Sequence, residues 1–419
     1  MMRKENSGFL RRPYQSFLVG GLACLAAGTV YAPTVLAQSA TVACNDPSVL
    51  PNPVYLAGSS AFEPTLAQLA VQIKAKQNIS IIYNPISSCS GALDIADATQ
   101  VLSGTGDYYV ADATQASGVS IRTCTLAANT KPLIGVSDVA YESCTAGAAM
   151  PATVGEWRGP VQAMLIIVPK ANVTMTAMSM EQAAAIWGCG DKGNQTPFVD
   201  ENAIQQRKNT SGTQIMVARA IGVPEGAFRG KSNSGGSDLV TSLLAVVDPQ
   251  TAIGILAADA YASQRSKLNA VAFRGRGQTR AYYADSDANA VDKKNVRDGH
   301  YVIQGPLHFF TALTAGQPSA AAKPVLDWLT GAVPIDSTDT SNTNYISTVA
   351  RLGDVPQCAM KVQLDKDGGN FSPFTPVVSC NCFFDKAVTQ AATPPAGCVA
   401  CTTNANCTGG KTCQTGFCE

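Results

Sequence analysis

Short apolar runs alternate with segments of helical period along most of this chain. Three of the runs, residues 79–83, 163–168 and 252–256, have the length and composition of strands. Residues 181–187 and 239–247 repeat apolar positions at helical spacing. Strands bounded by glycine and proline and interleaved with helices predict an α/β architecture.

Residues 105–144 depart from this alternation. They are rich in Thr, Ser, Tyr and Gly and show little helical period. We therefore predict an inserted hairpin region here. A disulfide between Cys124 and Cys144 would clamp it, because a bridge across roughly twenty residues restricts the unfolded chain.

The C-terminal end has its own composition. Residues 391–397, rich in Ala, Thr and Pro, are a predicted linker. Residues 398–419 form a cysteine-rich tail that is too short to bury a core, so only disulfides would fold it. Its closely spaced cysteines are Cys401, Cys407, Cys413 and Cys418.

The N-terminal end predicts export. Basic residues precede an apolar run from Phe17 to Ala32, which is short for a membrane span, and the small-residue pattern favours cleavage after Ala37. We therefore expect residues 1–37 to be a signal peptide. Lipid modification at Cys24 and a twin-arginine signal at residues 11–12 are weaker alternatives.

Net charge, length and cysteine count limit the classes of protein to which the exported chain could belong. Removal of residues 1–37 takes four basic residues and one acid from 30 of each, which leaves 26 against 29 and a net charge of −3. A nucleic-acid partner is therefore not expected. The remaining chain of 382 residues is longer than a single hydrophobic core usually serves, which predicts two lobes. Thirteen cysteines remain, and we expect six disulfides, one unpaired thiol, no metal and no cofactor.

The segment around residue 211 carries the most informative motif. Arg207 stands four residues before Ser211-Gly212-Thr213, and apolar positions at helical spacing follow. The three residues should therefore begin a helix, where free backbone N–H groups and hydroxyls attract an anion. The Arg207 guanidinium could add a bidentate contact to a tetrahedral oxyanion.

With Arg207 four residues before Ser211-Gly212-Thr213, the chain resembles the phosphate-binding proteins of bacterial phosphate ABC transporters, which have the same spacing. The resemblance implies a second anion-binding turn at residues 56–64, which contains Ser59, Ser60, Ala61 and Phe62. Ala61 departs from the hydroxyl residue that the family commonly has there. Ser60 and Glu63 also match a helix capping box, which needs no ligand.

The resemblance implies two further ligand positions. Ser88 is the predicted donor in the loop at residues 83–91, with Ser90 as the alternative. Asp138 is the predicted acid, with Asp112 as the competing match. A carboxylate can accept a hydrogen bond from the P–OH of phosphate, whereas fully ionised sulfate has no proton to give.

The resemblance also implies an overall organisation, namely a two-lobed type 2 periplasmic-binding-protein fold with crossover strands over residues 38–390. The lobes would comprise residues 52–160 with 300–358, and residues 161–299. We expect a non-enzymatic, exported solute-binding protein of the periplasm or cell surface. It would hold phosphate between the lobes for ABC-type uptake, with a transporter permease as partner. The alternatives are a surface or adhesion protein that has lost or changed its ligand, and a phosphatase-like hydrolase.

Overall fold

The computed structural model describes residues 42–97, 99–332, 345–390 and 392–419. The predicted signal peptide, including Cys24, lies outside the described residues. Among the described residues, every helix is too short or too polar to cross a bilayer.

The strands and helices alternate as the α/β class requires. The strands are β1 Pro53–Gly58, β2 Ser80–Asn84, β3 Thr105–Ala111, β4 Val119–Thr125, β5 Ile134–Ser137, β6 Val154–Pro169, β7 Ala177–Ser179, β8 Gln205–Arg207, β9 Lys231–Asn233, β10 Gly254–Ala257, β11 Leu268–Arg274, β12 Gln304–Thr314, β13 Gln317–Pro318, β14 Val362–Leu364, β15 Phe371–Pro373, β16 Cys413–Gln414 and β17 Phe417–Cys418. The helices are α1 Glu63–Gln77, α2 Ser88–Ala96, α3 Tyr141–Cys144, α4 Met180–Cys189, α5 Gly212–Ile221, α6 Gly236–Leu244, α7 Ala258–Ala262, α8 Lys294–Arg297, α9 Ala322–Thr330, α10 Tyr345–Leu352 and α11 Asn381–Thr389.

One large mixed sheet organises the molecule. Its strands lie in the order β4-β3-β2-β1-β5-β12-β6-β11-β7, with β10 paired to β6 and β13 to β12. Strand β1 is parallel to β2 and β5, while β12 is antiparallel to β5 and β6. The α/β class predicted from the sequence is confirmed.

Strand β6 connects the two parts of the sheet. Its first ten residues pair with β12, and its last six, from Met164 to Pro169, pair with β10 and β11. All residues from Gly159 to Pro169 are buried, and all but Gln162 are apolar, so burial here is continuous rather than alternating. The crossover expected from the sequence is present in β6, and the bounds of the two lobes stay a prediction.

The number of disulfides is as expected, but the predicted pairing of Cys124 with Cys144 is not. Six disulfides form among the described residues, and Cys189 is unpaired and exposed. The predicted Cys124–Cys144 clamp is wrong, because Cys124 bonds Cys44 and Cys144 bonds Cys89. Strands β3 and β4 do form a hairpin, but it extends the main sheet, and β5 lies at the centre of that sheet.

The cysteine-rich tail is tied to the body. The Cys382–Cys398 disulfide spans the predicted linker, and the tail is closed by Cys401–Cys413 and Cys407–Cys418. The side chain of Glu419 accepts hydrogen bonds from the N–H groups of Asn381 (2.9 Å) and Cys382 (2.7 Å) at the start of α11. A carboxylate at that position is stabilised by the free N–H groups of the helix.

Candidate functional site

Arg207 lies at the end of β8, and only 4% of it is exposed. Its Nη2 donates to Ser60 Oγ (3.1 Å) and to the Ser234 carbonyl (3.2 Å), while its buried Nε has no hydrogen-bond partner among the described residues. In this part of the chain no carboxylate forms an ion pair with it. Burial lowers the pKa of Arg207, and Asp138 and Asp238 oppose that effect. A buried cation whose hydrogen bonds all go to neutral oxygens is stabilised further by a bound anion.

Helix α5 begins five residues after Arg207 in the chain, as the sequence predicts. Ser211 is its N-cap, and the Ser211 side chain makes no capping hydrogen bond. The Gly212 N–H donates to Ser88 Oγ (2.9 Å), and the buried hydroxyl of Thr213 has no partner among the described residues. The first turn therefore keeps donors that a ligand could use.

Ser88 and Asp138 lie against the start of α5. Ser88 opens α2, and its hydroxyl donates to Asp138 Oδ2 (3.0 Å). Asp138 follows β5 and is 1% exposed, and its Oδ1 has no partner among the described residues. Burial raises the pKa of Asp138, and the hydroxyls of Ser59 and Ser88 and the charge of Arg207 oppose that rise.

Close packing fixes these groups around Gly212. A Cβ on Gly212 would lie 2.6 Å from Ser88 Oγ and 2.7 Å from Asp138 Oδ2. Such contacts are too short for real carbon atoms, so only glycine allows α5 to approach the Ser88–Asp138 pair.

The turn after β1 supplies Ser60 in a way the sequence did not predict. Helix α1 begins at Glu63 with Phe62 as its N-cap, and no side chain makes a capping bond, so the Ser60–Glu63 capping box does not form. Ser60 Oγ accepts from Arg207 instead. Ser59 Oγ accepts from the Ala61 N–H (3.1 Å).

Two of the predicted ligand residues are core side chains in this structure. Ala61 and Phe62 are 5% and 0% exposed, and the Phe62 ring packs against Phe309 with centroids 5.7 Å apart. Burial of Phe62 fixes the direction in which the chain enters α1. Only the backbone of these two residues could therefore contact a ligand.

The structure also separates the competing candidates. Asp112 is half-buried at the β3–β4 hairpin and bonds Thr114 and Ser120, whereas Asp138 is buried and contacts Ser88. Hydrogen bonds from the Ser120 and Thr114 hydroxyls lower the pKa of Asp112 to about 2. The side chain of Ser90, the alternative to Ser88, bonds Ser87.

Sequence reasoning missed a neighbouring cavity. It has a volume of about 640 Å³, and its lining includes Ser60, Glu63, Asp238, Asp259 and Arg351. We call it the α1–α6 cavity, because Ser60 and Glu63 lie at the start of α1 and Asp238 lies in the first turn of α6. Gly235-Gly236 at the start of α6 resembles other glycine-rich helix starts. This pair of glycines was the signal in the sequence that could have indicated the cavity.

Neither a protein-family model nor a curated protein matches this chain. Solved structures similar to it include a protein assigned as a phosphate ABC transporter substrate-binding protein from Clostridium perfringens, with bound phosphate. The two share 14% identity, with a TM-score of 0.48 over 73% of this chain and 99% of that one.

Two further solved structures belong to the same class of protein that the sequence motifs resemble. A phosphate-binding protein from Stenotrophomonas maltophilia shares 13% identity, with a TM-score of 0.43 over 73% of this chain and 90% of that one. An ABC-type phosphate transport receptor from Vibrio cholerae shares 14% identity, with a TM-score of 0.38 over 65% and 96%. Identities this low say nothing about which ligand this chain binds.

Proposed function

We propose that this chain is an exported solute-binding protein that holds one small tetrahedral oxyanion, with phosphate as the first candidate. The ligand would contact Arg207, the hydroxyls of Ser60 and Ser88, and the first turn of α5 from Ser211 to Thr213. The protein binds and releases its ligand without catalysis. An exported binding protein does not carry its ligand across the membrane by itself. Its partner would therefore be an ABC-type permease that receives the ligand.

The observation that carries the proposal is the buried guanidinium of Arg207 without a carboxylate partner among the described residues. Isolated buried charges are costly, so proteins pair them or reserve them for a ligand. The start of α5 and the Thr213 hydroxyl, which has no partner among the described residues, lie close by in the chain and favour the same ligand charge.

Asp138 supports phosphate over sulfate. Its Oδ1 is buried and unpartnered among the described residues, so it can accept a hydrogen bond from a protonated ligand oxygen. Phosphate carries such a proton near neutral pH, whereas sulfate would place an unprotonated oxygen against the carboxylate.

Isothermal titration calorimetry with phosphate and sulfate tests this function. Loss of one partner of a buried charge pair costs about 2–5 kcal/mol, so Arg207→Ala should weaken phosphate binding by about 30-fold or more. Asp138→Asn should reduce the preference for phosphate over sulfate. Arg276→Ala, at an exposed arginine elsewhere, is the control and should bind like the parent.

Equal phosphate affinity in the parent and in Arg207→Ala would refute the proposed site. If the folded parent bound no oxyanion at all, the result would favour a surface or adhesion protein that has lost its ligand. Release of phosphate from a chromogenic phosphate ester would instead indicate a hydrolase.

A further inference from the structure

The α1–α6 cavity shares Ser60 with the proposed oxyanion site. Ser60 lines the cavity and accepts a hydrogen bond from Arg207, and the carbonyl of Ser234, next to the cavity residue Gly235, accepts another. A ligand bound at Arg207 could therefore extend into this space. A volume of about 640 Å³ falls within the range of pockets that hold organic small molecules.

The charges that line the cavity have the opposite sign to Arg207. Three acidic residues, Glu63, Asp238 and Asp259, line it together with one cationic residue, Arg351, among the described residues. The surface between them includes the apolar side chains of Ala67, Val119, Ile121 and Leu352. This combination suits a short carbon chain that ends in a cation, and it disfavours a second anion.

Asp259 makes the strongest case for a missing cation. Its Oδ1 accepts from the Ala260 N–H (2.6 Å), whereas its Oδ2 is buried and has no partner among the described residues. The residue is 1% exposed although it lines the cavity. Burial, with Asp354 nearby, raises the pKa of Asp259 well above its ordinary value, which is expected of a carboxyl without a cation beside it.

Glu63 lies in the same cavity and shows a similar deficit of positive charge. Its Oε1 accepts from the Tyr109 hydroxyl (3.3 Å), and none of the ion pairs among the described residues includes it. An ammonium group can donate three hydrogen bonds, which matches the acceptors that Glu63 and Asp259 offer.

We infer that the ligand is an organic phosphate monoester whose short carbon chain carries an ammonium group. Its phosphate would occupy the Arg207 site as the monoanion, whose remaining P–OH donates to Asp138, and its ammonium would lie in the α1–α6 cavity against Asp259, Glu63 and Asp238. This inference rests on the proposed function, because the phosphate group must bind at Arg207 for the amine to reach the cavity.

Calorimetric titration with three probes tests the inference. The probes are inorganic phosphate, ethyl phosphate and O-phosphoethanolamine, and the last two differ chiefly in the ammonium group. A charge-assisted hydrogen bond contributes about 1.5–3 kcal/mol, so O-phosphoethanolamine should bind at least about ten-fold more tightly than ethyl phosphate.

Variants then assign that preference to the cavity. Asp259→Asn keeps the shape of the side chain and should reduce the ten-fold preference to about three-fold or less, as expected when one charged contact is lost. Asp238→Asn, at an exposed residue of the cavity lining, should also reduce it and serves if Asp259→Asn does not fold. Asp248→Asn, an exposed acid away from the cavity lining, should keep the full preference.

The outcomes separate the two proposals. If inorganic phosphate and both esters fail to bind, the oxyanion site itself is refuted and the inference falls with it. If phosphate and ethyl phosphate bind but the amine gives no gain, the oxyanion site stands and the inference is overturned. A gain that persists in the cavity variants would also overturn it, because the ammonium would then be bound elsewhere.

Discussion

At the scale of single residues, unsatisfied buried polar atoms are the most informative feature of this protein. Arg207 Nε, Thr213 Oγ1 and Asp138 Oδ1 all lack hydrogen-bond partners among the described residues. Each such atom costs stability in a folded protein, since water no longer solvates it. Three of them on segments that meet at the start of α5 indicate a place where a ligand supplies the missing bonds.

Glu63 should make the stability of the ligand-free protein depend on pH. Burial, with Asp107 nearby, raises the pKa of Glu63 from 4.5 to about 7. The folded state therefore holds this proton more tightly than the unfolded state does. The resulting stability is complete below about pH 4.5 and is lost as the pH rises through about 7.

The Glu63→Gln variant isolates this contribution. Because Gln has no charge to bury, the variant should gain on the parent as the pH rises from 5 to 8. A pKa change of this size corresponds to roughly 3 kcal/mol, and partial exposure reduces that figure. Urea unfolding at several pH values measures it, with the exposed Glu142→Gln as control. A constant difference between Glu63→Gln and parent would show that Glu63 titrates normally.

At the scale of secondary-structure elements, the start of α5 brings the site together. Its first N–H group reaches Ser88 at the start of α2, and through Ser88 it reaches Asp138 at the end of β5. The starts of two helices and the end of one strand thus converge on a single point. This convergence depends on how closely α5 can approach.

Gly212→Ala tests that approach. The added methyl would collide with Ser88 and Asp138, so α5 must move away from them. We expect a loss of about 1–3 kcal/mol in unfolding free energy and weaker binding of phosphate. Thermal unfolding and calorimetric titration measure the two effects.

Gly226→Ala provides the matched control for that variant. No atom lies within 4 Å of a Cβ built at Gly226, and it precedes α6 without touching the site. It should leave both stability and binding near the parent values. If Gly212→Ala behaved in the same way, close packing at the start of α5 would not matter for either property.

At the scale of the whole molecule, disulfides tie the edges of the sheet to its centre. The Cys44–Cys124 bridge holds the chain before β1 to the outer strand β4, across 80 residues of sequence. The Cys89–Cys144 bridge links α2 to the segment after Asp138, which limits how far Ser88 and Asp138 can separate. Both bridges restrict the unfolded chain strongly, because the loops they close are long.

Removal of the Cys44–Cys124 bridge should therefore destabilise the protein. For a loop of 80 residues the loop-closure model predicts a cost of roughly 4 kcal/mol for Cys44→Ala with Cys124→Ala. Denaturant unfolding measures the loss. Cys189→Ala, which removes the unpaired thiol, is the control and should stay close to the parent. Equal stability of the two variants would mean that the bridge adds nothing.

Much of this molecule was determined by the sequence itself. The α/β class, the helix beginning at Gly212 and its spacing from Arg207 follow from local residue patterns, because short-range periodicity and backbone preferences fix such features. The number of disulfides follows from the count of thirteen cysteines after residue 37. The partners of the cysteines did not follow, since pairing depends on which segments meet in space.

The site itself was decided by tertiary structure. Asp112 and Asp138 follow similar strands in the sequence, but the order of strands places one at an exposed hairpin and the other at the buried centre of the sheet. Likewise, Ser60 matched a capping box, yet α1 begins only at Glu63, with the buried Phe62 as its N-cap, and the Ser60 hydroxyl accepts a hydrogen bond from Arg207. Contacts between residues far apart in sequence leave no local pattern, so only the folded chain reveals them.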